Sequence, residues 1–522
     1  MSTATPQPQN IILINANVIT LDPGCPAAEW VAISGGTIRA VGTESDLKKF
    51  LFHDFEVIDC RGLTVLPGFN DAHLHLRAFA ESLVTLDLRP SQGFKSIGDI
   101  KRAIGELHSN RAPGTWIRGR GYNEFYLAEK RHPNRWDLDE AAPDIPVKLT
   151  HRSGHAHVLN SLALKLVGIS MKTEEPPQGL IDRDINTGEP TGLLYEMGEF
   201  LSKRVPPLDS KELLKGVDMA DRELLSLGIT SVQDASHLND MERCKEIRSW
   251  KEAGLFRPRV NLMLNHTCAE QSETEGFSSG VGENQLRLSG IKIILDETTG
   301  RLHPPQEELN RTVSRIHRSG SQVAIHAVEE PTVRSACHAI EVALRKYPRS
   351  DHRHRIEHGS VCSPVLSKRL ASLGIMVVTQ PAFLYYNGDR YLRTVPGEQL
   401  RHLYALRTLM NDGVVVAASS DCPIVPPNPL IGIYSAITRM SETGESVSAE
   451  EAITPLNALR MYTCHGAKAS FQENIKGSIR AGKLADLVAL KGNPLVAPPD
   501  EIKDMDVEMT MINGEVVWEK QF

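Results

Sequence analysis

The sequence predicts an α/β protein: a (β/α)8 barrel carrying a small discontinuous β-sandwich built from both termini, with a large insertion after barrel strand 1. Three observations lead there. Apolar runs alternate with helix-like stretches eight times between residues 63 and 421; both ends of the chain read instead as short strands joined by tight turns; and 522 residues exceed one ordinary domain but suit a barrel with accessory parts.

The first part of the sandwich is expected over residues 1–62. There I-I-L-I-N-A-N-V-I-T and W-V-A-I-S-G-G-T-I-R-A-V-G alternate as strands do, with Gly35-Gly36 as a hairpin turn. Residues 475–522 have the same texture, with Asn513-Gly514 as the turn, and form its second part. Neither end has enough strands to bury a face alone. Barrel strand 1 falls within 63–76, an insertion subdomain occupies 77–215, and the rest of the barrel runs over 216–474. The eight candidate strands are L-T-V-L-P-G-F (63–69), I-T-S-V-Q-D (229–234), R-V-N-L-M-L (259–264), I-K-I-I-L (291–295), Q-V-A-I-H (322–326), H-R-I-E-H (354–358), I-M-V-V-T-Q (375–380) and V-V-V-A-A-S-S-D (414–421).

Composition narrows the function. Charged residues are 24%, hydrophobic ones 41% and the net charge is −7, so neither nucleic acid nor an anionic membrane is an expected partner. The polar N-terminus carries no basic-then-apolar leader, and nowhere do eighteen apolar residues run together, so a soluble cytoplasmic protein is expected. Its eight cysteines lack any C-x-x-C, which fits reduced thiols better than disulfides or a thiolate-held metal. A small-molecule substrate and, as the commonest default, a homodimer complete the expectation.

In such a barrel, chemistry sits at the carboxyl ends of the strands. His73 and His75 end the first run and, at period two, share one face roughly 7 Å apart. Two other H-x-H pairs, His155-Ala-His157 and His352-Arg-His354, are decoys on spacing alone. What separates the first pair is the company it keeps: His326 ends the fifth run, His358 the sixth and Asp421 the eighth, while Lys292 interrupts the apolar fourth. A lysine in a strand interior is costly unless its amine is paired, uncharged or modified. Taken together, one ligand type at the right end of each strand reads as a metal site.

This pattern resembles the amidohydrolase superfamily of metal-dependent hydrolases, whose C-terminal signature is similar to K-G-S-I-R-A-G-K-L-A-D-L-V-A-L (476–490) with P-L-N-A-L (455–459) ahead of it. More narrowly, W-I-R-G-R-G-Y-N (116–123), S-G-H-A (153–156), G-E-P-T-G-L-L-Y-E (188–196) and R-I-E-H-G-S (355–360) resemble the branch that includes N-substituted formamide deformylases. The resemblance implies a one- or two-zinc centre. His73, His75 and Asp421 would hold one ion, His326 and His358 the other, and Lys292, carboxylated by carbon dioxide, would bridge them.

Imidazoles with carboxylate oxygens suit zinc, with manganese, iron or cobalt as alternatives. The expected reaction is hydrolysis of a C–N amide-type bond, in an N-substituted formamide or another N-acyl amine. Metal-bound hydroxide attacks the carbonyl and Asp421 shuttles the proton to the amine. Asn70 and Asp71 stand ready to orient ligands, and His155 to donate to the carbonyl oxygen. Gln380, Trp116 and three tyrosines of the aromatic stretch 381–392, read as a loop (Tyr385, Tyr386, Tyr391), are candidate substrate contacts. Two rivals stand beside this reading. His326-Ala-Val-Glu329 resembles the motif of mononuclear deaminases acting on cyclic amidines, and a scaffold that has lost its activity is the third possibility.

Overall fold

The computed structural model describes residues 10–48, 55–109, 115–176, 179–268, 282–297 and 301–521. Two compact units divide the chain, Met1–Leu76 with Asp221–Phe522, and Arg77–Ala220.

The first unit contains a parallel eight-stranded (β/α)8 barrel. Its strands are Phe69–Leu74, Ile229–Asp234, Arg259–Asn265, Leu286–Ile294, Val323–Ala327, Arg355–His358, Met376–Thr379 and Val416–Ala418, each paired with the next in chain order. Backbone bonds join the two ends: Asp421 N donates to His73 O (2.8 Å) and His75 N to Cys422 O (2.8 Å). The strands carry almost continuous buried runs, as a parallel sheet covered on its outer face requires.

The interior is partly polar. Arg355, fully buried, donates to Gln233 Oε1 (2.6 Å), Ala72 O (2.6 Å) and the Glu357 carboxylate, and Gln233 Nε2 donates to Gly466 O (2.8 Å) and Asn70 Oδ1 (3.3 Å). A buried ion pair holds only where its remaining hydrogen-bonding groups are also met, and here they are.

Both termini build two further sheets. One runs Thr37–Gly42, Trp30–Ser34, Asn10–Ile14, Glu56–Asp59; the other runs Glu515–Glu519, Val507–Ile512, Leu487–Leu490, Thr64–Pro67, Asn17–Ile19, Ala27–Ala28. Leu13, Val31 and Ile33 from the first share a core with Val65, Leu487 and Met511 from the second. The predicted hairpin turns form with left-handed backbone at Gly35, Gly36, Asn513 and Gly514 (φ 58°, 75°, 55° and 77°).

Two expectations need correction. Thr64–Pro67 pairs with Leu487–Leu490 in the terminal sheet, so the barrel's first strand starts only at Phe69. Residues 381–392 are not a loop: Ala382–Thr394 is helical. Asn387 and Gly388 are buried there, and a Cβ on Gly388 would lie 2.7 Å from Ser441 Cβ.

The second unit, Arg77–Ala220, has a six-stranded mixed sheet with helices and its own core, which includes Ile100, Ile104, Ile117, Leu138 and Val147.

Candidate metal centre

His73 and His75 come from the end of the first strand, Asp421 from the turn beyond the eighth. Asp421 Oδ1 lies 3.0 Å from His75 Nε2 and 3.5 Å from His73 Nε2. One ligand atom from each of the three falls within 4.8 Å of the others, close enough to share an ion. The His358 ring centre is 5.0 Å from that of His73 and 4.4 Å from that of His326. The mouth of the barrel therefore brings four imidazoles and a carboxylate together.

Backbone strain helps to aim them. His358 (φ 74°) and Asp421 (φ 56°) both adopt the left-handed conformation, unusual for residues with a side chain. Glu357 and His358 are consecutive and would face opposite sides of a regular strand. The reversal at His358 breaks that alternation, so both reach His73, Glu357 through Nδ1 and His358 ring against ring.

The hydrogen bonds fix which nitrogen of each histidine faces inward. His73 Nδ1 donates to the Glu357 carboxylate. Ser236 Oγ donates to Asp234 Oδ1 (2.6 Å), so toward His75 Nδ1 (3.0 Å) it can only accept. Gln380 Oε1 accepts from His358 Nδ1 (2.9 Å) while its Nε2 donates to Ser419 Oγ (3.0 Å). All three rings thus carry their hydrogen on Nδ1 and leave Nε2 for the centre.

Charge follows the same geometry. Burial, reinforced by the Lys292 charge, lowers His73 to about 3, so its imidazole is neutral at physiological pH. Burial opposes ionisation of Asp421, and the surrounding His75, His358 and His73 rings, when protonated, hold its carboxyl well below the usual range. Glu357 also lies well below that range: burial opposes its charge, and Arg355 and His73 outweigh it. Lys292 is 2% exposed, and burial lowers it to about 8 despite the nearby Glu357 and Asp421 charges. Among the described residues its Nζ, like His73 Nε2, has no hydrogen-bond partner. An unpartnered buried acceptor among nitrogen and oxygen donors fits a borderline divalent cation.

Comparison with known proteins agrees with this geometry, since residues 56–518 match the model of the amidohydrolase family. The chain belongs to the amidohydrolase family. It is 30% identical to the N-substituted formamide deformylase of Arthrobacter pascens over 98% of this chain and 99% of that one. It is equally similar, at 30%, to the putative amidohydrolase YtcJ of Bacillus subtilis strain 168, over 94% and 96%. An uncharacterized metal-dependent hydrolase from Pyrococcus horikoshii OT3 shares the fold, with TM-score 0.76, 23% identity and coverage of 94% and 99%. This amidohydrolase is therefore a hydrolase of the class acting on C–N bonds other than peptide bonds.

Other predicted site residues have different surroundings. Asp71 binds the Ser420 hydroxyl and backbone and the His73 N–H (3.2 Å), tying the eighth-strand turn to the first strand, and burial raises it to about 7. Asn70 accepts from Gln233. Gln380 is fully buried, its Oε1 on His358 Nδ1 and its Nε2 on Ser419 Oγ, a ligand-orienting position. Tyr391, also expected at substrate, is sealed in a core with Leu384, Leu403 and Val447 and bonds Tyr404 (3.3 Å); Tyr385 packs against Tyr386 and Tyr434. Glu329 is exposed at the N-cap position of the helix Glu330–Lys346, with no capping bond from its side chain.

Trp116 and His155 belong to the second unit. Trp116 lies in that unit's core beside Leu159 and Met197, a packing position in place of the expected substrate contact. His155 is half-exposed and pairs with Glu196 (3.0 Å). The reading of the sequence missed Glu357, Arg355, Asp234, Ser236 and Ser419.

Proposed function

We propose that the protein hydrolyses an N-acyl amine, with N-substituted formamides as the favoured class, at a divalent-metal centre held by His73, His75, Lys292, His326, His358 and Asp421. The observation that carries this reading is the hydrogen fixed on Nδ1 of His73, His75 and His358, with the Nε2 lone pairs of His73 and His75 facing the Asp421 carboxylate. The full-length likeness to a formamide deformylase supports the substrate class.

Zinc, the preferred ion, supplies when bound a Lewis acid and a water acidic near neutral pH. The chain's own groups do the rest. Asp421 accepts a proton from the attacking water as the C–O bond forms and returns it to the departing nitrogen as the C–N bond then breaks, so the products are an acid and an amine. Lys292 is the proposed bridging ligand. Addition of carbon dioxide to its amine replaces a buried cation with an anionic oxygen donor, which removes the cost of an ammonium group there. Arg355 and Gln233 keep the floor of the site polar and rigid. A cytoplasmic location accompanies this reading, supported by eight free cysteines.

Metal analysis of the purified protein, followed by screening of formamides and other N-acyl amines with Asp421→Asn as the blank, tests the proposal. One or two ions per chain and hydrolysis lost in the variant are expected. Metal-free protein, or hits hydrolysed as fast by the variant, would overturn it.

A further inference from the structure

We infer that Glu357 is a positioning residue that makes His73 the anchoring ligand of the centre. The inference rests on the metal-centre reading above and deepens it. Three histidines of the site donate their Nδ1 hydrogen to three chemically different groups. His73 donates directly to a carboxylate, Glu357, which Arg355 grips through Nε and through Nη2 (3.0 Å). His75 reaches a carboxylate, Asp234, only through the Ser236 hydroxyl (3.0 and 2.6 Å). His358 meets the neutral amide of Gln380 (2.9 Å).

An imidazole whose distal hydrogen is held by an anion is the more basic donor at its other nitrogen, and its ring is oriented before any ion arrives. The order of donor strength is therefore His73, then His75, then His358. Glu357 suits this role for a second reason. Both Glu357 and Arg355 are fully buried, so no water competes for the carboxylate, and Arg355 is itself fixed by Gln233 Oε1 and Ala72 O (each 2.6 Å). The Arg355–Glu357 pair is thus locked to strands one and two of the barrel, and the His73 ring inherits that rigidity.

The test replaces the backing group and leaves the ligand in place. Glu357→Gln keeps the shape and an acceptor for Nδ1, removes the charge, and replaces the oxygen that accepts from Arg355 Nε with an amide nitrogen. Affinity for Co2+, followed by chelator competition and by the visible absorption of the bound ion, is measured for the wild type, E357Q, Ser236→Ala and Gln380→Leu. The expected result is a loss of about 10–100-fold in E357Q, smaller losses in the other two variants, and recovery of E357Q hydrolysis at excess metal. A residue that only supports the fold would lower Tm without this graded loss. E357Q affinity within twofold of the wild type, or below no other variant, overturns the inference. Should E357Q fail to fold, Glu357→Asp, which keeps the charge but withdraws it from Nδ1, is read by the same two outcomes. Wild-type protein that binds no Co2+ defeats the metal-centre reading itself, which is a different result from a wild type that binds and an E357Q that binds equally.

Discussion

The barrel holds two groups of histidines, one at each end of its strands, and they differ in what their nitrogens do. At the carboxyl end, His73, His75 and His358 each have Nδ1 engaged and Nε2 turned inward. At the amino end, His317, His352 and His354 have both nitrogens occupied. His354 Nδ1 accepts from Val323 N (3.0 Å) and its Nε2 meets His317 Nδ1 (2.8 Å); His317 Nε2 donates to Tyr347 O (2.6 Å). His352 Nδ1 accepts from His354 N (2.9 Å) and Nε2 donates to Leu373 O (2.8 Å). Both groups contain an H-x-H pair. A histidine cluster becomes a metal site when it keeps aligned nitrogens in reserve, and a cluster that satisfies itself is architecture.

That contrast can be broken most forcefully through function. Asp421→Asn is expected to lower kcat/KM by about 10²–10⁴-fold, whereas His354→Leu leaves kcat/KM of the folded enzyme within a few-fold; steady-state kinetics on any amide hit decides it. Stripping the metal gives the next effect. At free metal about 1,000 times Kd, binding stabilises the fold by about 4 kcal/mol, so chelation should lower Tm in the wild type and in H354L alike, and leave Tm nearly unchanged in a His73→Leu/His75→Leu variant. Thermal melts with and without chelator check this.

Smaller effects sharpen the other half. H354L removes the acceptor for the Val323 N–H and the donor to His317, at about 1–3 kcal/mol for each buried group left unpaired. Denaturant unfolding should show that loss with metal content unchanged. The amino-end cluster also predicts a pH dependence. Burial lowers the pKa of His317, His352 and His354, so above about 6.5 these groups are neutral in folded and unfolded chains alike, and stability is full. Below that value the unfolded chain takes up protons the folded one refuses, and stability falls as pH drops toward the folded values, by up to about 1.4 kcal/mol per pH unit per histidine. In H354L the slope between pH 6.5 and 5 should be shallower than in the wild type, by chemical denaturation across that range.

Much of this was legible in the sequence because strand ends are marked by residue type. His73, His75, His326, His358 and Asp421 stand out where apolar runs stop, and Lys292 stands out inside one. Less legible was anything that depends on backbone reversal. Glu357 and His358 share the site only because φ at His358 is positive, a conformation that no residue in R-I-E-H-G announces apart from the glycine that follows. The aromatic stretch 381–392 misled for a different reason. Its cluster of tyrosines says nothing about backbone, and the stretch packs as a helix with Gly388 close against Ser441. The Thr64–Pro67 run, apolar enough for a barrel, went to the terminal sheet because its partner, Leu487–Leu490, lies more than 400 residues away and cannot be inferred from local pattern.

The most direct test compares the two clusters in one measurement, the metal content of purified wild type, H73L/H75L and H354L by elemental analysis. One or two divalent ions per chain are expected in the wild type and in H354L, and loss of metal in H73L/H75L. Full metal content in H73L/H75L, or its loss in folded H354L, would contradict that expectation.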